Sequence, residues 1–141
     1  MTYNTTWLHP KHIVYVNVYG HYTIDDVQNA LADITRYSTQ TEHLFFVAGD
    51  TSGITRHEQR TGDVIHIFSQ YTPPPHLARV LVIAPSPHLR LLGQLGAQVA
   101  GLNLRFMGSM DKILQAITLQ DETLPDARTL LKRYHALQAD R

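Results

Sequence analysis

Residues 12–19 alternate cleanly, with Val14, Val16 and Val18 on one side and Ile13, Tyr15, Asn17 and Tyr19 on the other. That period of two predicts a strand. A shorter strand is predicted over 5–8, closed by His9-Pro10-Lys11. The pair reads as a hairpin, hence an antiparallel start to a sheet, and Gly20 is expected to end its second strand. The period then changes. Ile24, Val27, Leu31 and Ile34, with Tyr37 one turn on, form one apolar helical stripe. Thr23 is its candidate N-cap, and Asp25 and Asp26 complement the dipole in the first turn. Polar residues 38–42 release the chain into an apolar strand over 44–48.

The cluster Asp50-Thr51-Ser52-Gly53 follows, and its composition predicts a turn. A second helix is predicted from about residue 56 to 71, with Val64, Ile65 and Phe68 inward and Gly62 weakening its first half. Pro73-Pro74-Pro75 must end it. Residues 79–84 are nearly all apolar, the mark of a strand covered on both faces. Ser86-Pro87 opens a third helix by the cap-then-proline order, carrying Leu89, Leu92, Leu95 and Val99. A short strand over 104–107 leads to a fourth helix capped by Ser109, with Met110, Ile113, Leu114 and Ile117 inward. A last amphipathic helix is expected over 123–138, with Leu130, Leu131, Tyr134 and Leu137 on its apolar side. The order predicts an α/β fold: a mixed sheet of about five strands, an N-terminal hairpin followed by β-α repeats, and four helices plus a C-terminal one. Residues 1–120 form the domain. Residues 121–141 are an extension, packed on that domain or at a homodimer interface.

Composition removes several function classes. Twelve basic and twelve acidic residues cancel, so no field of one sign steers nucleic acid or an anionic membrane surface. The chain contains no cysteine, which excludes thiol chemistry and Cys-ligated zinc and suits a reducing cytoplasm. No apolar run reaches the length of a membrane span, and the N-terminal residues lack signal-peptide character. A cytoplasmic location is expected.

Catalytic and cofactor signatures are missing. The phosphate-loop, dinucleotide, nucleophile-elbow and zinc-helix motifs are all absent, so no enzyme activity and no cofactor are expected. Gly93 and Gly96 lie inside the third helix, where they would let it approach a neighbour closely. Asp50, Ser52 and His57 can be drawn as a triad, but adjacency in sequence is not triad geometry. Nine histidines raise the question of a metal. Asp63 and His66 share a helical face, yet no third ligand is suitably spaced, so none is expected. Trp7, Tyr15, Tyr19 and Tyr22, with Ile13 and Asn17, are expected on the sheet face opposite the valines. They are either covered by another layer or line an aromatic cleft for a small apolar or lipidic ligand.

This order of elements resembles the STAS-domain superfamily, the SpoIIAA-like fold of bacterial anti-sigma-factor antagonists. Pro85-Ser86-Pro87-His88-Leu89-Arg90-Leu91-Leu92 is similar to that family's proline-serine-proline start of a helix. Gly101-Leu102-Asn103-Leu104-Arg105-Phe106, followed by Ser109, is similar to its closing strand and helix. The resemblance covers about residues 5–119 and implies a non-catalytic regulatory module that binds a protein partner, anti-sigma-like or kinase-like. It also implies a phosphoacceptor turn. If D-T-S-G is the helix-starting turn, Thr51 takes the acceptor position. If it is the earlier turn, the acceptor segment becomes Arg56-His57-Glu58-Gln59, which holds no hydroxyl. Recognition would then involve Asp50, Thr51, Ser52, Gly53, Arg56 and His57 together with the outer face of the second helix. A small-molecule or lipid carrier is the alternative reading, and a minor hydrolase the third.

Overall fold

The computed structural model describes residues 2–57 and 60–139. The chain runs β1 (Tyr3–His9), β2 (Ile13–Tyr22), α1 (Ile24–Ser38), β3 (Phe45–His57), α2 (Thr61–Ser69), β4 (Leu77–Ile83), α3 (Pro87–Ala100), β5 (Leu104–Phe106), α4 (Met110–Gln120) and α5 (Ala127–Ala139). The sheet is ordered β1-β2-β3-β4-β5. The β1–β2 pair is antiparallel and the other three are parallel. The predicted α/β mixed sheet with an opening hairpin is what the chain forms. Lys11 takes a left-handed φ of 68° in the hairpin turn, and its carbonyl accepts the Thr41 hydroxyl.

Because each parallel strand is added beside the last in one direction, right-handed crossovers lay α1, α2 and α3 over a single face. Val14, Val16, Val18, Val47 and Val80 point toward that layer. The opposite face carries Ile13, Tyr15, Phe46, Ala48 and Leu81 and is closed by α4 and α5. Helix starts follow the caps in the sequence. Thr23 and Asp26 form a reciprocal capping box, Ser86 accepts the Leu89 amide ahead of Pro87, and Ser109 accepts that of Lys112. A lost cap of this kind costs about 0.5–2 kcal/mol. No helix among the described residues is long and apolar enough to cross a membrane.

Several boundaries differ from expectation for identifiable reasons. β2 does not stop at Gly20; the glycine takes φ 69° and the strand continues to Tyr22. α5 starts four residues later than predicted, because Asp121 accepts the Thr123 amide and hydroxyl, and Asp126 then accepts the Thr129 amide as the cap. Ile65 and Val99 are exposed, not inward. In α3 the buried positions are Leu92, Gly96 and Ala97. The α5 stripe is covered by the chain's own sheet: Leu130 is fully buried and Tyr134 packs edge-on against Tyr15 at 5.4 Å.

Candidate functional site

Asp50-Thr51-Ser52-Gly53 is not a turn. β3 runs through it to His57, because β2 is long enough to go on pairing with it. Asp50 lies opposite Asn17 and Gly53 opposite Tyr19. Thr51 and Ser52 therefore share one partner position, a bulge that absorbs the irregular residues inside the ladder. Asp50 Oδ1 accepts the Ser52 amide at 2.8 Å, and the Thr51 hydroxyl donates to the Ile83 carbonyl at 2.8 Å. Gly53 suits this close approach, since a Cβ would come 3.0 Å from Tyr19 Cβ and the neighbour would have to shift by a few tenths of an ångström.

Thr51 cannot be a helix-starting acceptor, because α2 begins only at Thr61. In the other register, Arg56 and His57 are strand residues, while Glu58 and Gln59 lie outside the described residues. β4 pairs with β3 only as far as Asp50, opposite Ile83. Beyond that point β2 and β3 continue as a two-stranded ribbon. Ser52, Gly53, Thr55 and Arg56 are exposed on it, whereas Thr51, Ile54 and His57 are half-buried. Asp50 serves a backbone amide and His57 stacks on another histidine, so the triad drawn in sequence is not formed.

Nor do the four aromatics make one cleft. The antiparallel register sets Trp7 opposite Val14 and so on the valine face, edge-on to Tyr37 at 5.1 Å. Tyr15 points to the other face, against Tyr134. Tyr19 is 38% exposed on the ribbon. Tyr22 is three residues from Tyr19, an odd step that puts it on the valine face, where burial pushes its phenol well above its ordinary pKa, with Asp26 and Tyr3 adding to the shift.

A different site lies on that face. An apolar cavity of about 200 Å³ separates the sheet from α1, α2 and α3. Its floor is Val16, Val18, Val47, Val80 and Val82, together with Gly49, which brings no side chain at all. Ala30 and Leu31 of α1, Val64 and Phe68 of α2, and Leu89 and Leu92 of α3 close it. α2 has nine residues, of which only Val64 is buried, so it roofs the space thinly. Phe68 sits directly on α3 at Gly96, where a Cβ would lie 2.5 Å from the ring. Gly93 likewise admits Phe106, so these glycines do permit close approach. Protein interiors normally close such spaces, and a dry cavity of roughly 150 Å³ already accepts benzene.

His57 is not itself a lining residue, but it lies opposite one, Tyr22, in the ladder. Its ring stacks on that of His88 with centroids 5.2 Å apart and planes 20° apart. Ile54 and Leu89, near the two histidines in sequence, both line the cavity. His57 Nδ1 is buried without a hydrogen-bond partner among the described residues. No protein-family model and no curated protein matches this chain.

His9, His12 and His43 gather at the opposite end of the parallel strands. His12 stacks on His43 at 4.9 Å and meets Asp121 at 3.6 Å. His9 contacts Arg133, and desolvation, helped by Arg133 and His12, lowers its pKa from 6.5. Asp63 and His66 stand on α2. Among the described residues, no three His, Asp or Glu side chains are grouped to hold a metal. Residue patterns alone missed the cavity. Its only signal was Gly49 interrupting a buried apolar strand, beside two glycines in the helix that roofs the far side.

Proposed function

We propose that this domain is a non-catalytic binding module that holds a small apolar ligand between the valine face and α1–α3. The observation that carries this reading is the 200 Å³ space lined almost wholly by hydrocarbon, at a place where a sheet and its helices would otherwise interdigitate. Filling it with a ligand recovers dispersion contacts and keeps apolar surface from water. The protein purified under non-denaturing conditions should carry, or take up, one equivalent of a compact hydrocarbon. Native mass spectrometry with a thermal-shift panel of neutral aromatics and short chains tests this. Neither bound mass nor stabilisation would reject it.

A second reading rests on a different observation. Ser52, Thr55 and Arg56 are exposed on the β2–β3 ribbon beyond the reach of β4. That supports a regulatory protein-partner surface of the kind the STAS resemblance implies. A phosphate on Ser52 would add roughly −1.5 to −2 charges to the ribbon that also carries Arg56. Capture of one defined partner, lost on Ser52→Glu or Arg56→Glu, is the expected result. Phosphosite mapping after incubation with extract and ATP separates a regulated hydroxyl from an unmodified one.

A further inference from the structure

We infer that the cavity's ligand is an amphiphile: a hydrocarbon body inside, and a single anionic head, a carboxylate first of all, held at the His57–His88 rim. This rests on the apolar-ligand reading above and narrows it to a chemical class. The space itself offers a polar head little, since its walls are nearly all hydrocarbon; of the two polar side chains among them, Thr51 already donates its hydroxyl to the Ile83 carbonyl, and Tyr22 stands at the end next to His57. A head group must therefore stay at the edge. Scaling from a roughly 150 Å³ cavity that accepts benzene, the body would contain about eight non-hydrogen atoms.

The rim beside Tyr22 and Leu89 is chemically different. His57 Nδ1 is shut away from water with no hydrogen-bond partner among the described residues. A buried ring nitrogen left in that condition is uncommon, because such atoms are nearly always satisfied. A carboxylate arriving there would accept from the imidazole while its tail enters the cavity. The surroundings favour negative charge. His88 lies in the first turn of α3, which carries no acidic residue and presents the positive end of a helix dipole. Arg90 stands two residues after His88 on α3. Of the two carboxylates in the first turn of nearby α1, Asp25 and Asp26, the second is already engaged by the hydroxyls of Thr2 and Thr23 and by the Thr23 amide.

Calorimetric titration with a matched pair tests the inference: ethylbenzene, and 3-phenylpropionate, which adds a carboxylate to the same body. In the unaltered protein the acid should bind at least about tenfold more tightly, the increment expected of a hydrogen bond to a charged group. In His57→Phe and, separately, His88→Ala, the ratio of the two affinities should fall toward one. His88 is exposed, so its variant keeps the test valid if the other fails to fold. Equal affinities in the unaltered protein, or an acid preference that survives both substitutions, would overturn the anionic head and leave the cavity reading intact. Binding of neither compound would overturn both.

Discussion

The two faces of the sheet are built from similar hydrocarbon and end in different states. Under α4 and α5, Ile13, Leu81, Ile113, Leu114, Ile117 and Leu130 are all fully buried. Under α1–α3 the sheet offers a row of valines with a glycine among them, and the helices that cover it leave about 200 Å³ open. Long residues from four elements, β2, β4, α4 and α5, interlock on the first face. On the second, α2 is short, and Gly93 and Gly96 draw neighbouring rings onto α3. Equal hydrophobicity thus yields a load-carrying core on one side and a receptive one on the other.

Substitutions of opposite sign should separate the two faces most strongly. Leu130→Ala on the packed face should cost about 2–5 kcal/mol in denaturant unfolding, the range for a buried leucine that leaves a void. Ala30→Leu, which adds bulk into the cavity, should instead stabilise by about 0.5–2 kcal/mol. A loss of similar size at both positions would mean that both faces are close-packed. Next in size is the ligand itself. At a hundredfold excess over Kd, a neutral aromatic should add about 2.7 kcal/mol to the unaltered protein, and much less to Ala30→Leu. Gly96→Ala should cost about 1–3 kcal/mol, because the new methyl group collides with Phe68 and forces overpacking.

The smallest expected effect concerns the end where α5 meets the hairpin. The His9 pKa is lowered in the fold by burial and by Arg133 and His12, with Asp121 opposing them. The unfolded chain therefore holds the proton more tightly. Stability is full above the ordinary value of 6.5 and falls as pH drops below it toward the folded value. Denaturation at pH 5 and pH 7.5 should show this slope, and His9→Gln should flatten it. An unchanged slope would assign the titration to other groups.

Much of the fold was legible because local chemistry and tertiary packing agree there. Thr23, Ser86 and Ser109 cap the helices they were expected to cap, and the valine alternation gave the sheet its inner face. Legibility failed where pairing overrode composition. Asp50 to Gly53 have the residues of a turn, yet β2 continues alongside and holds them as a bulged strand. Tyr22 stands an odd number of residues from Tyr15 and Tyr19, so the strand's own period of two sets it on the opposite face from them. The cavity was hidden for a simpler reason: space is set by which side chains fail to meet, and no single residue announces it. His57 was expected at a recognition site, but its stacking partner His88 comes from a segment that sequence could not bring beside it.

Methyl-resolved NMR during titration with toluene tests the central claim most directly, because it watches both faces at once. Shifts should concentrate on Val16, Val47, Val80 and Leu92 while Ile113, Leu114, Ile117 and Leu130 stay in place. No saturable shift, or perturbation spread equally over the two sets, would contradict a receptive valine face.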